Sequence, residues 1–246
     1  MGFTQCGIRR KALWAALLGL PCMVQAPGAM GQATDAAAQE AASGEPTWYA
    51  ESVSRGEKGF LVTHRWAKGA RFRSEVVVAG HRIISIVNGE YYYTIDAVLH
   101  TGVAIRRSPQ AIAADAKRPR PFGNEFARIV EAGGEKVSTK QLGGRDCDLY
   151  RLTDNNGRRQ VCVDQSASQL PIQVEVFDRA TGRSETVDYV SWLSGIPIPD
   201  AFFEPDAGIA LEHFEYQEYR KRSRVERIGP APPLYSHLLH GNQPSW

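Results

Sequence analysis

What the chain lacks narrows its function. It has no excess of charge of one sign: 29 basic residues face 27 acidic ones, a formal net charge of +2. A nucleic-acid-binding domain needs a strongly basic face, so that class has no support and no nucleic-acid partner is expected. No apolar run reaches the roughly 20 residues of a membrane-spanning helix. The nearest approach is Ala12 to Val24, "ALWAALLGLPCMV", behind the basic Arg9, Arg10 and Lys11. A basic stretch followed by a short apolar one is the pattern of a secretory signal. Small residues follow, with Gly31-Gln32-Ala33 as the expected cleavage site and Val24-Gln25-Ala26 as its competitor. Removing the leader 1–33 takes away three positive charges and leaves a net charge of −1.

Motifs of catalysis are missing too. The chain has no G-x-S-x-G, H-E-x-x-H, P-loop or G-x-G-x-x-G. Its 6 histidines are scattered. His237 and His240 share a stretch without a carboxylate or cysteine close by, a poor zinc set, so no metal and no cofactor are expected. His64 sits on an apolar strand face, where a hydrogen-bonded core histidine is the ordinary outcome. Asp146 and Asp148 flank Cys147 on one strand face, and a solvated pair is expected there rather than an acid/base pair. An enzyme is not expected.

Cysteine is scarce, with 4 residues, of which Cys147 and Cys162 follow the leader. They lack C-x-x-C spacing, which argues against a redox-active pair. An even pair in an exported chain points to a structural disulfide. The register of "CDLYRLTDNNGRRQVC" decides it. A two-residue loop at Asp154-Asn155 sets the cysteines opposite each other. A four-residue loop Asp154–Gly157 pairs Cys147 with Asp164 and leaves them diagonal on one face. A tight Asn156-Gly157 turn forbids the bond.

What is present is alternation. Residues 34–46 form a polar lead-in rich in Ala, Gln and Glu. Strands then recur about every ten residues, starting at Trp48–Ser54, with turn glycines at 56, 59, 69 and 80. This predicts an antiparallel meander. Two helices interrupt it: one capped by Ser108-Pro109 with "QAIAADA", the other "EFARIVEA" behind Asn124, stopped by Gly133. Strands resume at Lys136–Leu142, Arg145–Thr153, Arg158–Asp164, Pro171–Phe177 and Ser184–Leu193. "AFFEP" after Pro199-Asp200 reads as a short capped turn. The stretch 212–246 is charged, then punctuated by Pro and Gly. It reads as a last strand or helix and a partly disordered extension, with Arg220–Arg227 as a candidate peripheral membrane contact.

The run "IVNGEYYYTID" places three tyrosines behind an Asn-Gly pair. With Asn88-Gly89 as a two-residue turn, Tyr91, Tyr93, Ile95, Ile84 and Ile86 share one face and Tyr92, Thr94, Ser85, Ile83 and Val87 the other. The first set is uniformly apolar or aromatic and is expected to face the helices.

Three stretches in order carry a resemblance: "KGARFRSEVVVAGHRIISIVNGEYYYTID", "KVSTKQLGGRDCDLYRLTDNNGRRQVCVDQSASQLPIQVEVFD" and "IPIPDAFFEPDAG". Over residues 48–207 the chain resembles the LolA-like periplasmic lipoprotein-carrier superfamily. The resemblance implies a mostly β, α+β fold: a curved half-open antiparallel sheet with short helices over its concave face. It also implies a periplasmic, non-catalytic role, with lipid or lipoprotein acyl chains bound in an apolar cavity. The lining expected is Phe60, Val62, Phe72, Ile84, Ile86, Tyr91, Tyr93, Ile95, Ile112, Phe126, Ile129 and Val130. Arg73 is expected to steady the helical lid, with Arg71 as its competitor. Residues 47–211 are the expected domain. The second reading is an envelope interaction or regulatory module, using the sheet's outer face or the basic tail on a protein partner.

Overall fold

The computed structural model describes residues 44–57 and 59–242. The leader 1–33 and residues 34–43 of the lead-in lie outside the described residues. Twelve strands form one curved, open sheet. Six make a first meander: β1 (Thr47–Gly56), β2 (Gly59–Lys68), β3 (Arg71–Val78), β4 (His81–Asn88), β5 (Tyr91–Asp96) and β6 (Thr101–Arg106). Five make a second: β7 (Glu135–Leu142), β8 (Arg145–Asp154), β9 (Gly157–Asp164), β10 (Pro171–Asp178) and β11 (Arg183–Ser194). The two halves join where β1 pairs antiparallel with β11. The last strand, β12 (Ala210–Phe214), pairs parallel with β6. The strand order is therefore 12-6-5-4-3-2-1-11-10-9-8-7.

The expected helices form where their start signals stand. In α1 (Pro109–Asp115) the Ser108 hydroxyl accepts the Ala111 N–H at 3.0 Å. In α2 (Glu125–Glu131) the expected cap differs: Asn124 makes no side-chain cap bond, and its Nδ2 donates instead to the Arg120 carbonyl at 2.7 Å. Gly133 ends the turn that follows with φ +87°, a conformation glycine adopts without steric cost. "AFFEP" yields a 3-10 turn, Asp200–Phe203.

The extension read as partly disordered is folded onto the sheet through residue 242. The expected boundary at 211/212 cuts through β12. Beyond it, α3 (Tyr216–Arg222) and α4 (Ser236–His240) pack with Tyr219, Leu238 and Leu239 buried. These join Phe72, Val87, Tyr92, Val103, Ile105 and Ile129 in the main core, on what we call the helical face. A buried side chain of this size contributes about 1.5–3 kcal/mol, so a few apolar anchors hold an otherwise polar stretch. Arg107 ties it down further. Its fully buried guanidinium donates to the Leu238, Gly89 and Ala111 carbonyls and to both oxygens of Asp115 at 2.8 Å.

The opposite face is covered too. Ile84, Ile86 and Ile95 pack against Ile198 and Phe203 of the 3-10 segment. Strand β4 is therefore buried at five consecutive positions, 83 to 87, as strands covered on both faces are. This overturns the expectation for the tyrosines. The observed turn is Gly89-Glu90, with Asn88 opposite Tyr91, Val87 opposite Tyr92 and Ile86 opposite Tyr93. A slip of two residues keeps each face's membership, so the two sets are as expected. Their assignment is inverted: Tyr92 is fully buried against the helical elements, while Tyr93 packs on the 3-10 side. The all-apolar set found a second cover that periodicity does not reveal.

The disulfide is present, with Cys147 and Cys162 at a Cα–Cα distance of 5.5 Å. Cys147 lies opposite Asp164 and Leu149 opposite Cys162, the diagonal register. The bond is buried in a small cluster with Leu149 and Ile172.

Candidate functional site: an apolar cavity at one end of the sheet

A cavity of about 1090 Å³ opens at one end of the sheet. Its floor is the helical face at the end of the sheet where β3 ends and β4 begins. Pairing there runs Thr63–Val76–Ile83–Asp96–Thr101 across β2 to β6. Ile83, Asp96 and Thr101 line the cavity, as do Leu61 and Val78, one step further along the same face, and Val103. One wall is β12 at Ala210–Glu212; another is the strap after α3, from Arg227 and Gly229 to Pro232 and Leu234.

The strap's sequence explains why it spans a space instead of filling it. Pro230, Pro232 and Pro233 fix φ and have no N–H to give to a strand ladder. Gly229, at φ +73°, lets the backbone touch the floor at one point: a Cβ there would stand 2.8 Å from a methyl of Val103. Ile228 is buried ahead of it, and Tyr235, Leu238 and Leu239 pack into the core behind it. The Tyr235 N–H donates to the Tyr92 hydroxyl at 3.2 Å, and Arg65 Nε donates to the Tyr235 hydroxyl at 3.0 Å. The strap is pinned at both ends and held off the sheet between them.

The polar side chains lining the cavity are His81, Asp96, Thr101, Glu212 and Arg227. Asp96 Oδ2 lies 2.6 Å from His81 Nδ1, and its Oδ1 accepts the Val98 and Leu99 N–H groups at 2.9 and 3.1 Å. Burial pushes this carboxyl up, but those N–H groups and His81 outweigh it and hold it below the usual range. Beside the floor, Ser74, Ser85 and Thr94 are cross-strand neighbours on β3 to β5 and form a fully buried row. A concave, mostly apolar space with a few fixed polar groups is the ordinary form of a small-molecule site.

None of the residues expected to line a cavity borders this one. Phe60, Val62, Ile112 and Val130 are exposed. Phe72, Phe126 and Ile129 belong to the helical-face core. Ile84, Ile86, Ile95 and Tyr93 belong to the opposite cluster. Tyr91 is half-buried beside Tyr93, with ring centroids 6.0 Å apart. Arg73 does hold a helical turn, though on that opposite face. It donates to the Phe202 carbonyl at 3.1 Å, stacks over the Phe202 ring and pairs with Glu75 at 2.7 Å. Arg71 pairs with Glu45 and Asp200. The lining residues missed are sequence neighbours of those expected: Leu61 stands between Phe60 and Val62, and Ile83 beside Ile84. The alternation was visible; which parity faced the space was not.

The other candidates disperse. His64 Nδ1 bonds the Tyr49 hydroxyl at 2.9 Å. Asp148 takes Lys136, Thr139 and Gln165, and the first of these contributes most to lowering its pKa. Strands β1, β11, β10 and β9 stand between His64 on β2 and Asp146 and Asp148 on β8. Among the described residues no cluster of three or more His, Cys, Asp or Glu could hold a metal. No helix among them is long and apolar enough to cross a membrane.

No family model and no curated protein matches the chain. Similar solved structures include an uncharacterized conserved protein from Thermus thermophilus, 11% identical with a TM-score of 0.48, covering 72% of this chain and 99% of that one. They include a Pseudomonas aeruginosa MucA/MucB complex, 14% identical at 0.43, covering 72% of this chain and 62% of the matched one. A domain from Vibrio parahaemolyticus described as an outer membrane lipoprotein-sorting protein is 14% identical at 0.31, covering 70% and 96%.

Proposed function

We propose that this is an exported, non-catalytic protein that binds the acyl chain of a lipid or lipoprotein in the cavity beneath the strap. The cavity itself carries the reading. At about 1090 Å³ it lies just above the ~300–1,000 Å³ usual for small-molecule clefts. Its floor of Leu61, Val78, Ile83 and Val103 offers apolar contact, and of its two carboxylates Asp96 is satisfied by His81 and two backbone groups while Glu212 on the wall pairs with Arg222. Such a space suits a chain of methylenes, each worth about 0.8 kcal/mol on burial. The buried disulfide agrees with an oxidising compartment outside the cytoplasm.

The test is uptake of a fluorescent fatty acid, with native mass spectrometry of the purified protein for bound lipid. Ala210→Trp, which puts an indole at an exposed position of the β12 wall, is expected to abolish uptake while leaving the fold intact by circular dichroism. Lipid-free protein and no uptake by the wild type would remove this reading.

A further inference from the structure

Exposed apolar residues gather at the end of the sheet where the cavity lies. Three neighbouring hairpin tips meet there: β1–β2, β3–β4 and β5–β6. Each presents at least one large apolar side chain to solvent. Phe60 is 75% exposed, Val77 59% and Val98 55%, each beside a residue that lines the cavity. Val62 on β2 is 46% exposed too, whereas Ile84, Ile86, Val87, Tyr92 and Ile95 of β4 and β5 are buried. Exposed apolar patches of this kind mark interaction surfaces. On the strap side, Arg227 lines the cavity, and two residues before it Val225, next to Arg224, is 85% exposed. Of the acids of that stretch, Glu212, Glu218 and Glu226 are engaged by Arg222 and Glu215 by Arg106. Among the described residues neither Arg224 nor Arg227 has a carboxylate partner; Arg227 donates to the Pro230 carbonyl at 2.6 Å.

We infer that this end of the molecule docks on the surface of an anionic phospholipid bilayer, with the three tips dipping into its interface. Apolar tips seat at the headgroup–acyl boundary, and the guanidinium groups of Arg224 and Arg227, which lack a carboxylate partner, meet lipid phosphates, as basic residues do at anionic membranes. The cavity mouth then opens onto the acyl region, and a chain enters it without crossing water. The purpose of the surface rests on the cavity reading; its existence does not.

Flotation with vesicles of phosphatidylethanolamine and phosphatidylglycerol tests it, with phosphatidylcholine vesicles as the neutral control. The wild type is expected to float with the anionic vesicles, more weakly with the neutral ones and less at high salt. The Phe60→Asp, Val77→Asp, Val98→Asp triple variant touches only exposed tips and should keep its thermal midpoint. It is expected to lose at least about tenfold in partitioning. The Ala210→Trp variant is expected to float like the wild type. A wild type that stays with neither vesicle, or a folded triple variant that floats equally well, overturns the inference. Failure of fatty-acid uptake alongside normal flotation would remove the cavity reading and leave this surface standing.

Discussion

A single histidine makes stability depend on pH. His237 of α4 is pushed down to about 4, first by burial and then by the positive charges of Arg118, Arg128 and Arg107; its bond to the Pro121 carbonyl only partly opposes this. His240 is lowered too, again mainly by burial. The folded-state pKa of His237 thus lies below the ordinary value of about 6.5. Between those values the unfolded chain holds a proton the folded one rejects. The stability is full above about pH 6.5 and is lost as pH falls toward 4, on the order of 3 kcal/mol in all. Thermal midpoints measured from pH 7 to 4.5 should fall in the wild type and fall less in a His237→Gln variant. The carboxylates held low, Asp96 and Asp148 among them, act below this window and do not mimic it.

At the scale of elements, the β8–β9 hairpin shows what a sequence pattern can decide. The Asp154–Gly157 turn sets the register, and the register sets the cysteines diagonal and within reach. The bond closes a loop with a sequence separation of 15, for which the chain-entropy estimate is about 3 kcal/mol. A Cys147→Ser, Cys162→Ser variant should lose roughly that much in urea denaturation. Thiol labelling of the wild type under reductant should require unfolding, because both sulfurs are buried. Most strand positions were legible for the same reason: polar and apolar residues alternate between turn glycines, though β6 (Thr101–Arg106) was not among the strands expected. The identity of the faces was not legible. Strands β3 to β5 are covered on both sides, so Ile84, Ile86 and Ile95 look no different from Val87 and Tyr92. Only the elements packed against them, far away in sequence, distinguish the two.

For the molecule as a whole, the C-terminal stretch is the largest departure from the sequence reading. Its charges and prolines resemble a tail, yet Tyr219, Ile228, Leu238 and Leu239 are core residues. They are spaced too irregularly for any helix or strand period to flag them, because the strap between them is neither. The candidate cavity was illegible for the same reason, since one of its walls is that strap. Truncation after Leu211 would uncover Phe72, Tyr92 and Ile105 together. The shortened chain is expected to bind an anilinonaphthalene dye, lose its near-ultraviolet dichroism and sediment as aggregate, whereas a dispensable tail would leave a folded monomer.

The same connectivity governs how the molecule assembles. Strand β1 pairs locally with β2 but gains its second partner only when β11 arrives, with Trp48 opposite Ser194, and β12 must then return to lie beside β6. Contacts this distant along the chain raise the contact order and slow folding. Until the last residues dock, the sheet around Tyr92 stays uncovered, and a slow folder with an open apolar face is exposed to aggregation. The segment that walls the cavity is thus also the last piece to close the fold, so a chain missing it is at risk before it meets any ligand.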